Sequence, residues 1–212
     1  MCFSAEVSLS AFILGLSSSI LLYRKGQVFD RIVALYFAYI SFMQGIEWLL
    51  WNHQTCDDYH KQLSRLGMII NLSQPIILGI MLIYFTGKNI AAILAIMLLY
   101  FLCTLLIYFL YTPDLQCTTP RPNDPHLVWN WTLLPYHYII SWTGYITAIM
   151  GICLLGMPSI KTGIVSAAIY LISMLLSMIV YPREDAATMW CFISSGAPLT
   201  YYICRRLGYS LQ

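Results

Sequence analysis

The chain has 212 residues, 59% hydrophobic and only 9% charged, with a formal net charge of +2, whereas an average soluble domain carries roughly 25% charged residues. The eleven Lys and Arg and nine Asp and Glu are gathered into short segments with long charge-free runs between them, which excludes a soluble globular domain and a basic groove for nucleic acid. Lipid is the expected solvent, and a hydrocarbon core about 30 Å thick requires about 20 apolar residues per helix.

Cutting the chain where charge, Pro and Gly cluster predicts seven spans. The first, Ala5 to Tyr23, is followed rather than preceded by Arg24 and Lys25, so it is expected to stay attached. Its Ala11, Gly15 and Ser19 form a smooth strip for close helix packing. The second, Ile32 to Trp51, holds Glu47, the one acidic residue well inside a span. Gln44, Trp48 and Trp51 share its helical face at offsets of three and four. The third, Leu66 to Thr86, presents Asn71 and Gln74 just before Pro75. The fourth runs from Ile90 to Tyr111. The fifth, Leu134 to Gly156, carries His137 and Ser141, and repeats the small-residue device with Gly144 and Ala148. The sixth covers Ile160 to Tyr181. The seventh, Ala187 to Cys204, opens with Trp190, Cys191, Ser194 and Ser195 and contains Pro198. Short connections make successive helices antiparallel neighbours, so the expected fold is all-α, a single seven-transmembrane-helix bundle over 1–212.

Orientation follows from the basic residues. With the N-terminus outside, one face receives Arg24, Lys25, Arg31, Lys88, Lys161, Arg205 and Arg206, and the other only Lys61, Arg65, Arg121 and Arg183. The richer face is predicted to be cytoplasmic, together with the C-terminus. Cys56 and Cys117 then fall in the two outer loops, where they are either a disulfide or two unpaired thiols. The sequon at Asn130, Trp131 and Thr132 lies so close to the bilayer that it is expected to go unused. The other cysteines inside spans, Cys103, Cys153 and Cys204, read as small core residues.

A carboxyl buried in hydrocarbon is costly enough that Glu47 should face the bundle interior or a cavity. The predicted topology places Gln44, Trp48, Asn71, Gln74, His137 and Trp190 at similar depth, giving an outward-facing polar pocket with Glu47 and His137 as its titratable members. One reading is a network that only ties helices together. A second is a zinc or copper site, because Cys2, Glu47, His137 and Cys191 are each suitable ligands; removal of Met1 would also expose an amine and thiol at Cys2. No close Cys-x-x-Cys spacing supports it. A third is a pocket that binds or conducts a small molecule, an ion or a proton, with Glu47 as the switchable group and Pro75 and Pro198 as helix interruptions. A retinal Schiff base is excluded, because none of Lys25, Lys61, Lys88 and Lys161 lies in the last span. Lipid is the one certain partner, enzymatic activity is not favoured, and a structural component of a virion or envelope is a further alternative.

The opening Met1-Cys2-Phe3-Ser4-Ala5, the Gln44-Gly45-Ile46-Glu47 segment ending at Trp51, and Trp190-Cys191-Phe192 together resemble an uncharacterised family of small multi-pass membrane proteins of bacteria and large DNA viruses. The resemblance implies a seven-helix membrane fold and no particular reaction. It draws attention to Cys2, Gln44, Glu47, Trp51 and Cys191, the residues that depth had also selected.

Overall fold

A computed structural model describes residues 4–106, 117–121, 124–129, 135–180 and 186–208. The described residues form eight α-helices and one small hairpin: α1 (Ala5–Tyr23), α2 (Val28–Asn52), α3 (Asp58–Thr86), α4 (Ile90–Tyr100) continued by a π-helical turn (Phe101–Leu106), β1 (Thr119–Arg121), β2 (Asp124–Val128), α5 (Pro135–Gly156), α6 (Ile160–Val180), α7 (Ala186–Ser195) and α8 (Ala197–Arg206). Four of them, α1, α2, α3 and α6, are long and apolar enough to cross a membrane, and Ile90–Cys103 and Trp142–Gly156 are shorter apolar helices.

The side-chain distribution suits a lipid solvent. In α1 the buried residues are mostly small, namely Ser8, Ala11, Gly15, Ser18 and Ser19, with Leu22 at the end. The large apolar residues Ile13, Leu14, Ile20 and Leu21 point outward. In water that arrangement would forfeit the hydrophobic effect; in lipid the small face wins because it lets backbones approach. The strip seats α1 on α2 so closely that a Cβ on Gly15 would stand 2.1 Å from Ser41 Oγ.

Helix ends follow local chemistry. Ser4 caps α1 by accepting a 3.3 Å bond from the Val7 amide, and Gly26 turns the chain with φ +85°. Asp57 caps α3 by accepting from the His60 amide at 2.9 Å. The third helix therefore begins eight residues before the predicted Leu66, and the link from α2 shrinks to a short turn. Gly87, with φ +61°, ends it. Pro75 does not interrupt α3, whereas the last predicted span is split at Gly196, with Pro198 in the first turn of α8.

α2 is central, packing against α1, α3, α7 and α8, while α5 joins α3, α4 and α6. At one end, Asn89 Nδ2 donates to Leu155 O at 2.8 Å and Thr86 Oγ1 to Gly156 O at 3.0 Å, tying the α3–α4 turn to the end of α5. Gln27, Asp30 and Arg205 also meet there: the Arg205 Nε lies 3.4 Å from Asp30 Oδ1, and the guanidinium donates to Gln27 Oε1.

The opposite end is closed by β1 and β2, an antiparallel pair with Thr119 facing Val128 in register. A disulfide between Cys56 and Cys117, with Cα atoms 5.7 Å apart, ties it to the start of α3. His60, fully buried, faces two carbonyl oxygens, His53 O at 2.6 Å from Nδ1 and Thr118 O at 2.7 Å from Nε2. The Thr118 amide donates to Ser64 Oγ at 3.3 Å. Trp129, also buried, fills the notch at Gly67, where a Cβ would meet its ring at 2.5 Å.

Candidate functional site

The buried stripe of α2 recurs every three or four residues through Ile40, Met43, Gln44, Glu47 and Leu50. Gln44 and Glu47 thus reach the interior as an i,i+3 pair, both with 0% exposure. α3 presents a second pair with the same offset, Asn71 and Gln74. Cys191 of α7 completes the group. Gln74 Nε2 donates to Asn71 Oδ1 at 3.4 Å and lies 3.6 Å from Cys191 Sγ, while that thiol lies 3.8 Å from Asn71 Oδ1. Glu47 and Gln44 reach the same interior from α2, which packs against both α3 and α7. Three helices therefore contribute to one polar layer inside an apolar bundle, where each dipole interacts more strongly than it would in water.

Tyrosines surround this layer. The Tyr145 hydroxyl of α5 donates to Gln74 Oε1, and Tyr100 of α4 donates to Leu72 O at 2.7 Å. Ring centroids of Tyr100 and Tyr145 lie 6.5 Å apart, those of Tyr145 and Tyr170 6.3 Å, and those of Tyr170 and Trp190 4.9 Å. Tyr36 of α2, Tyr145 and Tyr170 are all buried. The hydroxyl of Tyr36 is buried and, among the described residues, without a hydrogen-bond partner, which leaves donor capacity available to a polar guest.

The residues selected from sequence separate as follows. Gln44, Glu47, Gln74 and Cys191 are wholly buried, and Asn71 nearly so. Trp190 is buried, but its indole N–H is used by Ser173 Oγ at 2.9 Å, so it anchors α7 to α6. Trp48 is half-buried and flanks the layer. His137 belongs to α5, but its side chain, like that of Ser141, lies outside the described residues, as does Cys2. Among the described residues no group of three or more His, Cys, Asp or Glu could hold a metal ion. Tyr36, Tyr100, Tyr145 and Tyr170 were not selected. Their signal was a phenol deep inside a charge-free run, where an O–H needs a partner, instead of at the interface where tyrosine is at home.

Outside the layer, Asp57 at the start of α3 is held away from its ordinary titration range. The His60 amide it caps, and then the His53 side chain at 2.9 Å, hold its carboxyl below the usual range.

No protein-family model, curated protein or solved structure matches the chain. Four apolar helices of bilayer length fit an integral membrane protein.

Proposed function

We propose that the chain is a seven-span membrane protein, N-terminus outside and C-terminus cytoplasmic, whose polar layer around Glu47 binds or conducts a small ligand, an ion or a proton. α4 with its π-helical turn, α5, and α7 with α8 would supply the three spans beyond the four longest helices. The basic residues Arg24, Lys25, Arg31, Arg205 and Arg206, which sit at one end, support the orientation.

The observation that carries the reading is the complete burial of the Glu47 carboxyl, on a helix that packs against those bearing Gln74 and Cys191. A carboxyl in such a place is expensive to retain, and intramembrane acids mark ion and proton paths. The buried phenol of Tyr36, unpartnered among the described residues, supplies a donor for a guest. His137, on α5, would be the second titratable member of the proposed pocket. The test is reconstitution into liposomes with an internal pH dye and a panel of alkali cations. Glu47→Gln should lower proton or ion flux at least about tenfold while the purified protein keeps its fold. Flux equal to wild type, with only thermal stability altered, would leave the layer a scaffold.

A second reading, a zinc or copper site using Cys2, Glu47, His137 and Cys191, is favoured by the full burial of Glu47 and Cys191 on two helices that pack together. It requires metal to copurify in a fixed ratio and to be lost in Cys191→Ser.

A further inference from the structure

A separate cluster lies at the end where α1 turns into α2 and α8 finishes. Among the described residues it gathers Arg24, Lys25, Arg31, Arg205 and Arg206, and its one acid is Asp30. That acid is taken: Asp30 lies 3.4 Å from Arg205 and is wholly buried. Among the described residues the other cations have no carboxylate within ion-pair distance.

Their arrangement is nevertheless convergent. Lys25 Nζ lies 5.2 Å from the centroid of the Tyr202 ring, and Arg206 Cζ lies 5.5 Å from the same centroid. Arg206 also donates from Nε and Nη2 to the Tyr202 hydroxyl at 3.1 and 3.0 Å. Two like charges are thus drawn to one ring. Arg31 stands over Tyr23 at 5.6 Å, with its Nε buried and unpartnered. The start of α2 adds to the field, because Gln27 at its N-cap makes no side-chain bond to the helix amides and accepts from Arg205 instead. Leu21, Ile203 and Leu207, all exposed, border the cluster with apolar surface.

From this geometry we infer that Lys25, Arg206 and Arg31, organised by Tyr202 and Tyr23, bind a phosphate group, and that its source is the headgroup of an anionic phospholipid whose chains lie against Leu21, Ile203 and Leu207. An anion removes the repulsion between the two cations on Tyr202, and the apolar border suits an amphiphile better than a free ion. The site is independent of the Glu47 layer.

The test follows thermal unfolding of the purified full chain in mild detergent with phosphatidylglycerol, phosphatidylcholine or sodium phosphate added. Phosphatidylglycerol should stabilise the protein and phosphatidylcholine should not. Lys25→Gln with Arg206→Gln should raise the half-saturating phosphatidylglycerol concentration on the order of tenfold. The charge-keeping pair Lys25→Arg with Arg206→Lys should titrate within about twofold of wild type. Should the neutral pair not fold, Lys25→Gln alone gives the same displacement in smaller measure. Sodium phosphate as effective as phosphatidylglycerol would overturn the lipid source, leaving a phosphate site filled from water. Equal stabilisation by phosphatidylcholine, or a neutral variant that titrates like wild type, overturns the proposal.

Discussion

Gly15→Ala sets two physical effects of opposite sign against each other. In an isolated helix the change is favourable, by about 0.8–1 kcal/mol of propensity. In this bundle the new methyl would stand 2.1 Å from Ser41 Oγ, 2.8 Å from Ser41 Cβ and 3.2 Å from Ser195 O. A hydroxyl can rotate away, but the Ser41 Cβ is fixed to α2 and the Ser195 oxygen is backbone, so α1 must move outward. Overpacking of that kind costs roughly 1–3 kcal/mol. The net expectation is a loss of about 1 kcal/mol, read as a fall in unfolding midpoint of about 2–4 °C. Thermal unfolding of Gly15→Ala, Ser41→Gly and the double variant in one detergent forms a cycle. The account expects the double variant to be more stable than the two single effects sum to, by about 1 kcal/mol. A Gly15→Ala protein more stable than wild type, with additive effects, would show that α1 and α2 are not in such close contact.

Three further outcomes follow from the two ends of the bundle. Arg205→Gln leaves the buried Asp30 carboxylate without its cation, and should cost about 3–5 kcal/mol in urea or thermal unfolding, with Asp30→Asn added on top restoring much of it. Reducing the Cys56–Cys117 bond, which closes a 61-residue separation, should lower stability by about 2–4 kcal/mol and increase amide exchange at residues 117–121. Because the Asp57 carboxyl is held below its ordinary range, its contribution is present above about pH 4 and fades as pH falls through the lowered value. Amide exchange at the start of α3 should therefore rise in acid, and Asp57→Asn should show the same exchange without that acid dependence.

How far the fold was legible depended on which solvent each residue faced. Charge-free runs locate helices because lipid forbids unpaired backbone, and they located the ends of α1, α5 and α6 closely. They missed the first eight residues of α3, since a capped amphipathic turn beyond the bilayer carries Asp58, His60 and Lys61 and looks like loop. The hairpin was hidden by Pro120 and Pro125, which argue against strands; the structure holds it by a disulfide and by His60 in place of strand propensity.

The site was half legible for a related reason. Glu47 stands out because a carboxyl has only one tolerable direction in a bundle, and Gln44, Asn71, Gln74 and Cys191 follow by depth. Tyrosine has no such constraint: Tyr84 near the end of α3 is 80% exposed and Tyr36 within α2 is 5% exposed, so only depth along the helix separates them, and that signal is weaker than a charge. The Asp30–Arg205 pair joins residues 175 positions apart, beyond the reach of local periodicity.

The central claim is that the layer between α2, α3 and α7 receives a guest, and a density map of the protein in a lipid nanodisc tests it most directly. The account predicts density not belonging to the chain within hydrogen-bond reach of the Glu47 carboxyl and of the Tyr36 hydroxyl. Side chains packed without a gap, with every one of those polar atoms bonded to another protein group, would contradict it.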